Sequence, residues 1–159
     1  MSLYFKCHKF NLTKEVVAWR EELKLQNRKL VVATGCFDIL HNGHCSYLED
    51  SNRHGDYLLV GLDNDASIKA LKGKNRPINK ASNRLDVIAS LRFVDAVFIY
   101  ENTAQFLKDI KPDVWVKGGD YSLETLNQEE LSHVVNGGGK VVFSPLINGL
   151  SSSILLSKI

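Results

Sequence analysis

The chain has 159 residues, 44% of them hydrophobic and 24% charged, with a formal net charge of +2. That length supports one domain with a real core, and so weak a charge without a dense Lys/Arg run excludes an ordinary nucleic-acid-binding surface. Cys7, Cys36 and Cys45 form no disulfide framework, the N-terminus shows no secretory leader and no stretch is long enough to span a membrane, so a cytoplasmic location is expected.

In chain order, residues 1–12 carry no clear signal. Thr13 is a candidate cap for a helix to about Leu25, with Glu15 in its first turn and Val16, Val17, Trp19 and Leu23 as its apolar side. A continuously apolar strand over 29–34 follows, then a loop and a helix to about Arg53. A second strand is predicted over 57–62, with a short helix to about Leu71 capped within Asp63-Asn64-Asp65. Residues 72–77 form a basic loop. Next come a helix ending near Arg92, a strand over 94–100, and a helix capped by Asn102 or Thr103. A strand over 114–116, a helix over 124–135, a strand over 140–144 and a last helix opened by Ser151, Ser152 and Ser153 complete the pattern. Strands alternating with helices imply an α/β, Rossmann-like, doubly wound parallel sheet of five strands in order 3-2-1-4-5, with an extra N-terminal helix.

In that order the winding direction reverses between the first and fourth strands, and ligands bind beyond the strand ends there. Two loops meet at this point: the one carrying Thr34, Gly35, Cys36, Phe37, Asp38, His41, Gly43 and His44, and the one carrying Lys117, Gly118, Gly119 and Asp120. Two imidazoles at a helix start suit phosphate, because the first N–H groups of a helix lack partners and the dipole adds positive potential. Packing histidines and a metal site shared with Cys36 and Cys45 are the alternatives. The second is disfavoured because adjacent His44 and Cys45 point apart on a helix. Gly35, Gly118 and Gly119 are turn glycines or points of close approach to a nucleotide. Lys72, Lys74 and Arg76 are a solvated loop or a source of a lysine that closes over a triphosphate. Asp38 and Asp120 are loop-capping residues or contacts to a ligand; Asp63, with Asp38, is assigned to the substrate. The three serines are helix caps, compatible with a phosphate-binding helix start. No Walker sequence and no G-x-G-x-x-G occurs.

Gly35-Cys-Phe-Asp-Ile-Leu-His-Asn-Gly-His44 resembles the H-x-G-H signature of the cytidylyltransferase-like nucleotidyltransferases, and Gly149-Leu-Ser-Ser-Ser153 resembles their second motif. Leu71-Lys-Gly-x-x-Arg-Pro-Ile78, Asn83-Arg84 with Val94-Asp95, and residues 111–121 resemble the adenylyltransferase domain of ADP-heptose synthases. The resemblance covers about residues 29–159 of a single nucleotidyltransferase domain, with 1–28 as an N-terminal helical extension. It implies joining of D-glycero-β-D-manno-heptose 1-phosphate to ATP, with release of pyrophosphate, for lipopolysaccharide core or related surface glycans. It also implies Mg²⁺ carried on the triphosphate, small-molecule partners only and a homodimer. His41, His44, Lys72, Lys74 and Arg84 are then expected at the phosphates. Thr34, Gly35, Cys36, Phe37, Gly43, Lys117, Gly118, Gly119, Asp120, Gly149 and the serines are expected to bind the nucleotide. Thr34 stands where the family usually has Asn, the serines stand where threonines are common, and Leu146 stands where glycerol-phosphate cytidylyltransferases have an arginine. Transfer to an alditol phosphate or flavin precursor, and a nucleotide-binding sensor without transfer activity, remain as alternatives.

Overall fold

A computed structural model describes residues 7–145 and 152–157 of the chain. The elements are β1 His8–Lys9, α1 Thr13–Leu25, β2 Leu30–Gly35, α2 Asn42–Asn52, β3 Tyr57–Asp63, α3 Asp65–Lys72, α4 Ala81–Ala89, β4 Ala96–Tyr100, α5 Thr103–Ile110, β5 Val114–Gly118, α6 Gln128–Asn136, β6 Lys140–Ser144 and α7 Ser152–Leu156. Among the described residues the strands form one parallel sheet in order β1-β4-β3-β2-β5-β6. The five long strands thus keep the expected order, and a sixth, two-residue strand is added at the edge beside β4. That strand was not expected, because two exposed residues leave no periodic signal.

Strand alternation divides the core in two. Leu30, Val32, Leu59, Phe98 and Trp115 face one way, where α1, α5 and α6 supply Val16, Leu23, Phe106, Leu107, Ile110 and Val134. Val31, Ala33, Leu58, Val60, Val97, Val114 and Val116 face the other way, against Leu48 of α2 and Ile88 of α4. Both faces are covered, which is why β2 is apolar without alternation.

The N-terminal segment, expected as an extension before the main fold, is packed into it. Val16 and Leu23 are in the core, and the buried Arg20 pairs with Asp113 at 3.0 Å. Asp113 also accepts the Leu30 backbone N–H at 2.7 Å, so one carboxylate ties α1 to the starts of β2 and β5. Leu12, not Thr13, is the cap residue of α1. The Glu15 carboxylate accepts the Asn11 and Leu12 backbone N–H groups, both at 3.0 Å. The α6 helix begins at Gln128 rather than 124, because Ser122 and Thr125 close a turn and the Asn127 side chain caps the helix at Glu129 and Glu130. No helix among the described residues is long and apolar enough to cross a membrane.

Candidate active site

Beyond the carboxyl ends of β2 and β5 lies a cavity of about 630 Å³. Thr34, Gly35, Cys36, Phe37, Asp38, His41, Gly43 and His44 line it on one side, and Lys117, Gly118 and Asp120 on the other. This is the point where the winding reverses, and the volume suits a small-molecule ligand. Asp63 and Lys72 complete the expected lining; Tyr100, Tyr121 and Glu130 line it without having been singled out. Lys74 and Gly119 are exposed and do not line it. Gly149 and Ser151 lie outside the described residues, as do Leu146 and the side chains of Ser152 and Ser153.

The histidines are placed by the chain itself. Gly35 ends β2 without a Cβ, leaving room for the Phe37 ring, which would come within 3.1 Å of one. Phe37 takes a left-handed φ of +48°, a strained backbone that turns the chain toward α2. His41 is the cap residue of α2, and His44 lies in its first turn, with its N–H on the His41 carbonyl at 2.9 Å. No acidic residue and no side-chain cap occupies this first turn, so among the described residues the Asn42 and Gly43 N–H groups at its start have no side-chain acceptor. The two rings stack at 3.8 Å between centroids. Among the described residues, neither ring nitrogen of His41 has a hydrogen-bond partner, although both are shielded from solvent. Burial lowers the His41 pKa. Burial, then His41 and Lys72, push His44 down to about 4, against a smaller pull from the Ile39 backbone. Both rings are therefore neutral near pH 7, and the unpartnered His41 nitrogens are able to hydrogen-bond a ligand that enters beside them.

Two expected contacts with ligand are instead part of the framework. Arg84, expected at the phosphates, is 1% exposed and does not line this cavity. It donates to the Asn79 carbonyl at 3.0 Å, the Cys36 carbonyl at 2.6 Å, the Asp63 carbonyl at 2.7 Å and the Asp65 carboxylate at 2.9 Å. A guanidinium has five donors in a fixed fork, and here they go to protein acceptors that bind β2, β3, α3 and α4 together. Asp38, expected at the substrate, has a fully buried carboxylate. It accepts from the Ile78 N–H at 2.9 Å, the Asn79 N–H at 2.8 Å and Arg76 Nε at 2.6 Å. Burial pushes its pKa up, but these hydrogen bonds outweigh it and hold the carboxyl below its ordinary value. Asp38 thereby fastens the 73–80 loop to the histidine loop.

Asp63 stays at the cavity. Its Oδ1 accepts the Tyr100 hydroxyl at 2.8 Å and its Oδ2 the Cys36 thiol at 3.3 Å. Tyr100 reaches it by leaning over Gly61, where a Cβ would stand 2.9 Å from the ring. Thr34 turns away from the cavity chemistry. Its hydroxyl accepts the indole N–H of the fully buried Trp115 at 3.2 Å, which gives a physical reason for a short hydroxyl at this position. No group of three or more His, Cys, Asp or Glu among the described residues is placed to hold a metal ion.

Known proteins agree with this arrangement. The cytidylyltransferase-like family profile matches residues 32–155. The bifunctional protein HldE of Pasteurella multocida is 43% identical over 92% of this chain and 30% of its own length. That of Campylobacter fetus is 36% identical over 97% of this chain and 33% of its own. The chain thus spans about a third of the length of the curated relatives it matches. Among solved structures, a lipopolysaccharide core biosynthesis protein from Thermoplasma volcanium aligns at TM-score 0.62 and 29% identity, over 76% of this chain and 97% of that one. A pantoate–β-alanine ligase from Francisella tularensis aligns at TM-score 0.66 over 96% of this chain and 73% of that one; at 15% identity it shows the shared fold alone. With the H-x-G-H loop at the strand switch and a profile match over most of its length, the chain belongs to the cytidylyltransferase-like family.

Proposed function

We propose that the cavity transfers an adenylyl group from ATP to a sugar 1-phosphate, specifically D-glycero-β-D-manno-heptose 1-phosphate, giving an ADP-sugar and pyrophosphate for lipopolysaccharide core or related glycans. The observation that carries this reading is the stacked pair His41 and His44, with unpaired His41 nitrogens, at the open start of α2. The relatives named HldE and the neighbour named for lipopolysaccharide core biosynthesis support the sugar class.

The reaction needs no covalent intermediate. A phosphate oxygen of the sugar attacks the α-phosphorus in line, and pyrophosphate leaves. The protein's part is positioning and charge stabilisation. His41 and His44 donate to the α-phosphate and the departing pyrophosphate, Lys72 neutralises the triphosphate, and the Gly35 and Gly118 loops let the nucleotide lie close to backbone. The 151–153 helix start is assigned to the β and γ phosphates. Mg²⁺ would come with the triphosphate and shield its charge, and the carboxylates of Asp63 and Asp120 at the cavity would hold its bound waters. A cytoplasmic site of action and a homodimer accompany this reading, on the supply of ATP and on the family resemblance.

Pyrophosphate release from ATP plus heptose 1-phosphate tests the proposal. His44→Ala should slow it by at least ~100-fold, the scale of losing one transition-state donor. A near-normal rate in that variant overturns the role given to His44, and a panel of triphosphates against several sugar phosphates checks the substrate pair.

A further inference from the structure

The cavity has two chemically different ends. The charged group that acts on His44 is Lys72. Those that act on Lys117 are Glu130, Asp63 and Asp120. The first end is built for phosphate. The second carries three carboxylates around one ammonium and disfavours a phosphate that carries no cation.

Lys117 and Glu130 are the unspent groups at that second end. The Lys117 ammonium lies 4.2 Å from the centroid of the Tyr121 ring and 5.1 Å from that of Trp115. Among the described residues it has no hydrogen bond and no ion pair, so the aromatic faces hold it while its three N–H donors stay free. The ring beneath it is itself fixed, through the hydrogen bond from Trp115 to Thr34. Glu130 stands in the first turn of α6, fixed there by the Asn127 cap. Its half-buried carboxylate lines the cavity and also has no hydrogen-bond or ion-pair partner among the described residues. Asp63, by contrast, is already engaged by Tyr100 and Cys36.

We propose that Lys117 and Glu130 together bind two adjacent hydroxyls of a substrate, and so determine which hydroxylated substrate the cavity accepts. The inference rests on the transferase reading for its location. A carboxylate accepts two O–H donors side by side, and a neighbouring ammonium donates to the oxygens of the same hydroxyls. A vicinal diol satisfies both groups without adding charge to an acidic surface. The nucleotide ribose and the acceptor sugar both carry such a diol. Burial raises the Glu130 pKa, and Lys117 opposes that shift.

Equilibrium calorimetry on the full chain tests the pair without needing turnover. The probes are ATP, 2′,3′-dideoxy-ATP and mannose 1-phosphate, against wild type, Glu130→Gln and Lys117→Met. Glu130→Gln is nearly isosteric and half-exposed, so its unfolding midpoint should stay within ~2 °C of wild type. The expected result is that each variant weakens one diol-bearing probe by about tenfold, the scale of a charged hydrogen bond. If that probe is ATP, the dideoxy analogue should bind wild type as weakly as ATP binds the variant, and the diol is the ribose. If it is mannose 1-phosphate, the diol belongs to the acceptor. Changes under twofold for both probes overturn the proposal, as does a wild type that binds neither. A wild type that binds the probes but releases no pyrophosphate overturns the transferase reading alone.

Discussion

The two sides of the cavity spend their charged residues in opposite ways. On the side of the 73–80 loop, Arg84 and Asp38 are buried and engaged by four and three protein partners respectively. On the side of β5 and α6, Lys117 and Glu130 line the cavity without a hydrogen-bonded partner among the described residues, and His41 at the start of α2 has two idle ring nitrogens. The first arrangement fixes where the loops stand. The second leaves capacity for a ligand. A charged residue in a motif therefore says nothing about touching substrate until its partners are counted.

The largest effect that tests this contrast belongs to the framework. Arg84→Met removes a guanidinium, leaves the Asn79, Cys36 and Asp63 carbonyls around an apolar chain and strips the half-exposed Asp65 carboxylate of its partner. The loss should be about 3–5 kcal/mol, read from denaturant midpoints. A variant that unfolds normally but loses turnover would place Arg84 at the substrate instead. Asp38→Asn comes next. The amide keeps one acceptor oxygen, loses the charge facing Arg76 and turns donors toward one of the two backbone N–H groups, for a loss of about 2 kcal/mol by the same measurement.

This division marks the limit of what the sequence disclosed. The strand order was legible because the runs Leu30–Ala33 and Leu58–Leu62 can only be buried strands and the helices between them end on clear signals. The histidine loop was legible because its spacing defines a helix start after such a strand. Arg84, expected at the phosphates, stands instead in the framework: it precedes Leu85 and is one turn from Ile88, and that position on an apolar face was the available clue to its burial. Glu130 was missed because α6 was expected to start at 124, which hides that Asn127 puts residue 130 in the first turn. The link from Thr34 to Trp115 spans 81 residues, a separation at which no local pattern pairs two side chains.

A smaller effect follows from His44. In the unfolded chain its imidazole takes a proton near pH 6.5, while the folded form resists until about pH 4. The unfolded state then holds more protons between these values, so stability is complete above pH 6.5 and is lost as the pH falls toward 4. With partial solvent screening, about 1 kcal/mol is at stake, or roughly 2–4 °C in the unfolding midpoint of a chain this size. Scans at pH 7.5 and pH 4.5 should show that extra drop in wild type and its absence in His44→Gln. Equal drops in the two proteins would mean that burial does not hold His44 neutral.

The smallest effect distinguishes two neighbouring lysines that the sequence treats alike. Lys72 lines the cavity and is close enough to push on the His44 proton. Lys74, two residues on, is exposed like Lys72 but lies outside the lining, beyond Gly73 with its left-handed φ of +97°. A solvated ammonium acts on a bound triphosphate only through screened water, worth a few tenths of a kcal/mol. Lys74→Ala should therefore change pyrophosphate release less than ~2-fold, and raising the salt should erase even that. Lys72→Ala should cost ~10-fold or more, since it removes a charge at the phosphates themselves. Equal losses in the two variants would require the 73–80 loop to leave Asp38 and fold over the ligand. In that event the Asp38 contacts to Arg76, Ile78 and Asn79 would be a latch that opens, and Asp38→Asn would alter turnover as well as stability.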